Sequence, residues 1–371
     1  MKSAFKLGFT WLFVMLLLPP MMGVAQQEFN KTIKREFDVS PDGTTSLSNK
    51  YGKIEVKTWE MEKVKISVNI LVDARNEDQA QEIFDRININ FSDAPDLVRA
   101  ETVIEPRKKS WWGGGNNDVN YSINYEVFLP PTHDLELNHK YGEVYIAELS
   151  GRANMDIRYA NLKAEGLGDD SRIRLGYGNG LLNTAQDINL ELSYSKLSVE
   201  KASEVEVSSR YSRLTIKEAS DITSQSKYDT YDLGSIRDFK NTGNYDNIRI
   251  ERAQNVEVGS RYTEIELGQV ANTLDLDLEY GGVSTGLASS FKQVSLNGRH
   301  TDFKLSIAAG SNYLLDASAT FAGIRYPDAL QVTYEVEKGT EHEIRGHVGR
   351  ENAEAKVVAR LSYGSLKVSG N

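Results

Sequence analysis

The sequence predicts an all-β fold: a single-chain parallel β-solenoid (β-helix) with coils of about 17–21 residues, plus a small α+β insertion near the N-terminus. Three observations predict it. One phrase, an aromatic residue followed by apolar residues three and five positions later, starts at Tyr51, Tyr141, Tyr159, Tyr177, Tyr194, Tyr211, Tyr228, Tyr245, Tyr262, Tyr280, His300, Phe321 and Tyr363. From Tyr194 to Tyr262 each copy begins 17 residues after the last. Apolar residues also alternate on both sides of the aromatic, as at Val205, Val207, Leu214 and Ile216, and the alternation slips by one at the aromatic itself. A repeat this short cannot bury a core alone, so the copies must stack. Alternation gives half-buried strands, and a slip of one marks a corner.

Taken in order, residues 1–25 read as a secretory signal peptide. Lys2 and Lys6 precede an apolar run from Phe9 to Leu18, and Gly23-Val24-Ala25 supplies small residues for cleavage after Ala25. Residues 26–59 hold the first coil. Leu47-Ser-Asn-Lys-Tyr51-Gly-Lys-Ile54-Glu-Val56 matches Leu137-Asn-His-Lys-Tyr141-Gly-Glu-Val144-Tyr-Ile146, so residues 60–131 between them read as an insertion. In that insertion Val64, Ile66, Val68, Ile70 and Val72 alternate as a strand, and Asn76 caps a helix with Ala80, Ile83, Phe84 and Ile87 on one face. Strands follow at Ile89–Phe91, Val98–Ile104 and Val119–Val127, giving a helix on an antiparallel sheet. Residues 132–326 form the main solenoid. Residues 327–354 interrupt the count and read as a cap, and residues 355–371 form a terminal coil. Stacked at one strand spacing, roughly 4.8 Å, the coils make a rod on the order of 60 Å long.

Tyr141, Tyr159, Tyr177, Tyr194, Tyr211, Tyr228, Tyr245, Tyr262 and Tyr280 would then form a ladder of stacked rings with hydroxyls near solvent. Alternation puts these rings in phase with the inward residues, which assigns the ladder a structural role. The small residues two positions earlier (Ser209, Ser226, Gly243, Ser260) leave room for a ring. Lys140, Arg158, Arg210, Lys227, Arg261 and Arg299 stand just before an aromatic, while Glu136, Glu206, Glu257 and Asp275 occupy an outward lane nearby. The two lanes are expected to balance on one solvated face.

Composition narrows the function. The chain contains no cysteine, which excludes disulfides, thiolate metal sites and a thiol lipid anchor. Its net charge of −10 and lack of a long basic run argue against nucleic acid and anionic lipid as partners. Beyond the signal peptide no stretch reaches membrane-spanning length. No cofactor is implied, and no catalytic or metal-binding residue is assigned. Of the five histidines, His300 replaces a ladder tyrosine. His342 and His347 flank Glu343 in a polar segment read as a loop, without the helical frame of a zinc protease motif. Asp169 with Asp170, and Asp229 with Asp232, are the carboxylate pairs available for sugar chemistry, though acidic residues at turns are more often solvated. The most binding-like segment is Arg107-Lys-Lys-Ser-Trp111-Trp112-Gly-Gly-Gly-Asn-Asn-Asp118. Trp111 and Trp112, beside a Gly/Asn-rich stretch, suit sugar stacking or anchoring of a partner.

The Tyr-Gly/Ser-Xaa-apolar-Xaa-apolar repeat, with its early copy Lys50-Tyr51-Gly52-Lys53-Ile54-Glu55-Val56 and the signal peptide, resembles the adhesin domains of exported bacterial β-solenoids akin to the head GIN adhesins. The resemblance covers most of residues 40–371. It implies a surface or envelope interaction role and brings no catalytic residues. The expected function is therefore a non-enzymatic interaction scaffold, exported to the periplasm or cell surface, with an envelope glycan or protein as partner. A carbohydrate-active solenoid enzyme of the polysaccharide lyase type is one alternative, and a periplasmic envelope assembly or regulatory protein is another. Coils of 17 residues leave little groove for the enzyme reading.

Overall fold

The computed structural model of the chain describes residues 27–106 and 120–370. The N-terminal part runs β1 (Gln27–Asp38), β2 (Thr44–Thr58), β3 (Lys63–Ala74), α1 (Glu77–Arg86), β4 (Ile87–Ala94), β5 (Leu97–Ile104) and β6 (Asn120–Leu129). The repeats follow as β7 (Asp134–Glu148), β8 (Ala153–Leu167), β9 (Ser171–Gly176), β10 (Asn179–Ser193), β11 (Lys196–Arg210), β12 (Arg213–Lys227), β13 (Thr230–Asn244), β14 (Asn247–Leu287) and β15 (Gln293–Ile307). The chain closes with β16 (Tyr313–Thr320), β17 (Gly323–Arg325), β18 (Gln331–Lys338), β19 (Glu341–Val348), β20 (Ala355–Ser362) and β21 (Ser365–Gly370). None of the described helices is long and apolar enough to cross a membrane.

The architecture is a parallel β-solenoid. β2 pairs in parallel with β7, β7 with β8, and β10 through β14 each pair in parallel with the next. Register is strict: Leu197 faces Leu214 and Leu214 faces Tyr231, each one repeat along the chain. A strand such as β11 starts after one aromatic and ends before the next, bending midway at the polar corner. There Ala202, Ala219 and Ala253 are buried, small enough to let the chain turn inward. Leu197, Val199, Val205 and Val207 of the same coil are all buried. Repetition of that set through the stack makes one continuous apolar interior, which no single coil could close.

Both ends are finished by antiparallel strands. At the N-terminal end β5 pairs in parallel with the first half of β2 and β6 with the second half, so the two act as one further coil. β4 then pairs antiparallel with β5, and β3 antiparallel with β6. Residues 27–38, read from the sequence as part of the first coil, lie instead beside the insertion, because β1 pairs antiparallel with β3. Helix α1 is capped by Asn76, whose side chain accepts from the Gln79 amide at 2.9 Å, and it buries Ala80, Ile83 and Phe84.

At the other end the order of coils departs from the order of sequence. β20 lies between β15 and β16, and β21 between β15 and β17, so the last coil threads between two earlier ones. Residues 331–348 form the hairpin β18–β19, and β19 runs antiparallel along β16.

Candidate functional site

Each of the thirteen aromatic positions has a positive φ, between 51° and 68°. This left-handed conformation costs roughly 1–2 kcal/mol for a residue with a Cβ, and for bulky residues it is rare. It also explains the slip in the alternation. A left-handed residue reverses the side-chain direction, so the ring leaves the core and stands on the corner. Expectation and structure differ here: the rings do stack, but outside. Among described residues the nine tyrosines from Tyr141 to Tyr280 are 37–52% exposed.

The ladder is unbroken from Tyr51 to Phe321. Successive centroids are 4.6–5.3 Å apart with interplanar angles of 1–19°. His300 stacks between Tyr280 and Tyr363, and Tyr363 stacks on Phe321, following the threaded order of the last coil. Tyr121 closes the N-terminal end edge-on against Tyr51, at 5.6 Å and 84°. Stacking at this spacing contributes about 0.5–1.5 kcal/mol per pair, enough to offset much of the backbone cost.

The residue after each aromatic carries the hidden half of the corner. The aromatic's amide donates to the next coil's backbone, as Tyr211 does to Lys227 O at 3.0 Å. The following amide turns inward instead, toward the next coil's side chain. Gly178 N donates to Ser195 Oγ (3.3 Å), Ser195 N to Ser212 Oγ (3.2 Å), Ser212 N to Asp229 Oδ1 (2.6 Å), Asp229 N to Asp246 Oδ1 (2.9 Å) and Asp246 N to Thr263 Oγ1 (3.3 Å). A buried amide without a partner would cost about 1–3 kcal/mol, which accounts for Ser, Asp or Thr at this place from Ser195 to Thr263. In the first two coils the same place takes glycine: a Cβ on Gly142 would lie 1.7 Å from Gly52 O, and its φ is +146°.

This zipper reassigns several residues. Ser209 and Ser226 make room not for the ring but for carboxylates, donating at 2.8 Å to Asp229 Oδ2 and Asp246 Oδ2. A Cβ on Gly243 would meet Asp246 Oδ2 at 2.2 Å. Asp229 and Asp246 are both buried. Burial raises the pKa of Asp229, and it pushes that of Asp246 up to about 6 against the stabilising hydrogen bonds. Asp229 and Asp232 do not form a pair: Asp229 points inward, while Asp232 faces outward beside Arg213 at 3.3 Å. Asp169 and Asp170 are both exposed in the turn after β8.

Histidines also find structural places. His133 and His139 are fully buried, His133 between Thr45 Oγ1 (3.1 Å) and Ser40 O (2.8 Å), and His139 against Gly52 O (3.1 Å). Burial lowers the pKa of both. His342 and His347, read from the sequence as lying in a loop, sit on strand β19, and His342 pairs with Glu335 at 3.0 Å. Among the described residues no group of three or more His, Asp or Glu could hold a metal ion.

Beside the ladder the two charge lanes do not pair with each other. Lys50, Lys140 and Lys227 lie over ladder rings at 4.8–5.5 Å. Arg158 pairs with Asp156, and Arg261 and Arg299 share Glu279. Trp111 and Trp112 lie outside the described residues.

No protein-family model matches the chain, and no curated protein does. Among solved structures it is similar to a candidate cell adhesion protein from Clostridium sporogenes, with 8% identity over 92% of this chain and 100% of that one and a TM-score of 0.18. Candidate adhesins from Parabacteroides distasonis and Bacteroides fragilis each share 12% identity over 74% of this chain and 97% of theirs, with TM-scores of 0.28 and 0.19. Similarity this distant carries no argument about what the chain binds; the ladder itself must supply one.

Proposed function

We propose that this chain is an exported, non-enzymatic β-solenoid that acts as an adhesin-like interaction scaffold at the cell envelope, with the aromatic ladder as its contact strip. One observation carries the reading: a continuous line of half-exposed aromatic rings runs along one corner from the first coil to the last. Exposed aromatic surface in a contiguous strip marks interaction sites on soluble proteins, and tyrosine is favoured there because it is rigid and amphipathic. Because the ring faces are already stacked, what the ladder offers a partner is ring edges and a row of hydroxyls. The proposed signal peptide in residues 1–25 supports export. The lyase-type reading is weaker, since Asp229 is buried in a corner bond network and Asp232 faces away from it.

Two measurements test this. Fractionation with surface proteolysis of cells making the protein should find it outside the cytoplasm, and a cytoplasmic pool would overturn the envelope role. Purified protein should also sediment with isolated envelopes of those cells. The variant Tyr194→Phe/Tyr211→Phe/Tyr228→Phe keeps the stacking and removes three hydroxyls, so it should melt like the parent yet bind several-fold more weakly. Unchanged binding would remove the ladder as the contact strip.

A further inference from the structure

The ladder is not electrically uniform. At several places a charged residue sits near its opposite across neighbouring coils, as Lys217 meets Glu200, Lys240 meets Glu257 and Arg249 meets Glu266, while away from the ladder the acids Asp187, Glu204, Asp221 and Asp238 share one register. Around Tyr194, Tyr211 and Tyr228 it is cations that fall in register. Lys196 lies in register with Arg213 on one side of the rings, and Arg210 in register with Lys227 on the other. Like charges directly opposite on neighbouring strands are destabilising. Relief from the protein itself is slight. Among these four, Arg213 has Asp232 at 3.3 Å, Arg210 donates to the neutral Ser193 Oγ at 3.1 Å, and Lys227 lies over the Tyr228 ring at 5.5 Å. Lys196 has no ion pair among the described residues, and all four side chains are exposed.

A second cationic run, Lys50–Lys140–Arg158, is also in register, but Asp156 neutralises Arg158, and both lysines lie against ladder rings. The central run lies beside open space. A trough of about 490 Å³ flanks it, lined by Arg210, Ser193, Ser208, Asn189 and Gln225 with the carboxylates of Glu191 and Glu206. Glu191 is already engaged by Arg172 and Arg174, and Glu206 accepts from Asn189 Nδ2 at 3.0 Å. Hydroxyls, amides and the Arg210 guanidinium thus line a trough next to the cations that flank the tyrosine row.

We infer that the corner around Tyr194, Tyr211 and Tyr228 is a binding site for an acidic polysaccharide, whose carboxylate or sulfate groups lie between Lys196, Arg210, Arg213 and Lys227 while its hydroxyls bond to the tyrosine hydroxyls and the trough. The inference rests on the scaffold reading above and names its ligand class. Three features select a glycan over other polyanions. Single-stranded nucleic acid is held by stacking bases on aromatic faces, and the faces of Tyr194, Tyr211 and Tyr228 are occupied by their neighbours at 4.7–5.0 Å. An anionic lipid surface calls for apolar side chains that insert, whereas the residues flanking these rings are polar. A polymer dense in hydroxyls matches a site dense in hydroxyls and amides. Repetition matters as well: each side of the rings carries cations on two successive coils, Lys196 and Arg213 on one and Arg210 and Lys227 on the other, so a chain with regularly spaced anions meets several at once.

The test uses the full purified chain and defined probes: oligogalacturonate for carboxylates, chondroitin sulfate for sulfates, neutral dextran, a single-stranded oligonucleotide, and phosphatidylglycerol vesicles. Binding to at least one acidic glycan, absent for dextran and weakened as salt rises, is expected. The double variant Lys196→Gln/Arg210→Gln should weaken it about tenfold, with a melting temperature unchanged or raised because repulsion is removed. Lys240→Gln/Arg249→Gln removes the same charge from paired sites and should bind as the parent does. Equal losses in the two double variants would reduce the site to bulk electrostatics and overturn the inference. So would failure of both acidic glycans, or tighter binding of the oligonucleotide or vesicles. If the glycans fail while envelope binding still depends on the three tyrosine hydroxyls, the ligand class falls and the scaffold reading stands.

Discussion

At the residue scale, the corner joins two costs that each explain a residue type. A left-handed backbone favours glycine, yet nearly every coil places an aromatic there, so stacking must offset the strain. Tyr211 is 48% exposed, with neighbours at 4.8 and 4.9 Å. Tyr211→Ala should therefore cost about 1–3 kcal/mol, the loss of two stacked contacts, rather than the 3–5 kcal/mol typical of a fully buried aromatic. Tyr211→Gly should cost less than Ala by roughly 1 kcal/mol, because glycine accepts the left-handed φ without strain. Chemical denaturation of the pair decides it: an alanine variant as stable as the glycine one would show that the backbone stores no strain. Beneath the ring, Asp246 yields a pH signature. Its folded pKa, about 6, lies above the ordinary 3.8, so the folded state holds a proton that the unfolded chain releases. The contribution of this group is thus full below about pH 4 and fades as pH rises toward 6. Asp246→Ser, which copies Ser212 two coils earlier, should flatten that fall relative to the parent; parallel curves from pH 4 to 7 would show that Asp246 does not titrate in this range. The sequence made the corner visible through Tyr194-Ser195-Lys196-Leu197, but not the direction of the ring. Alternation reads sides of a strand, and one left-handed residue inverts the reading. Nor did Asp229 and Asp246 look different from solvated turn carboxylates, because what buries them is the next coil.

At the scale of elements, the strands of the main stack were legible and their order at the end was not. Val205, Val207, Leu214 and Ile216 announce inward faces by period alone, and each is buried. The position of the last coil depends on which edge it finds, and the local pattern Tyr363-Gly-Ser-Leu366-Lys-Val368 is compatible with any edge of the stack. In the fold it joins β15 to β16 and β17, so these two parts of the C-terminal end do not depend on each other directly for their ladders. Removing residues 355–371 should therefore unseat β16–β19 while β10–β13 hold. Hydrogen exchange would show rapid exchange of the amides in residues 313–348 and protection in residues 179–244 close to the parent's. Retained protection in β16 would mean that it closes directly onto β15. The N-terminal end has the same logic. β5 and β6 read as strands of an insertion, and only the fold shows that they also continue the parallel stack beneath β2.

At the scale of the whole molecule, a parallel stack must end somewhere, and each end exposes a row of unpaired amides and carbonyls. An open, straight, uncharged edge is a template for another chain. β16, Tyr313–Thr320, would be such an edge: Asp316 is its one charged residue. β19 covers it along its whole length, from Tyr313 opposite Val348 to Thr320 opposite Glu341. The hairpin then presents β18 to solvent, and β18 differs from β16 in every relevant respect. Its register shifts between Val332 and Tyr334, it carries Glu335, Glu337 and Lys338, and all eight of its residues are exposed. A bulge and alternating charges discourage further pairing. Replacing residues 327–350 with a flexible linker should leave the ladder and the last coil in place but expose β16. The variant is expected to associate end to end, with its mass in analytical ultracentrifugation rising with concentration, while the full chain keeps one mass over the same range. A variant that stays at the parent's mass, with unchanged β-content, would show that β16 needs no cover. In that case residues 327–350 serve some purpose other than ending the rod.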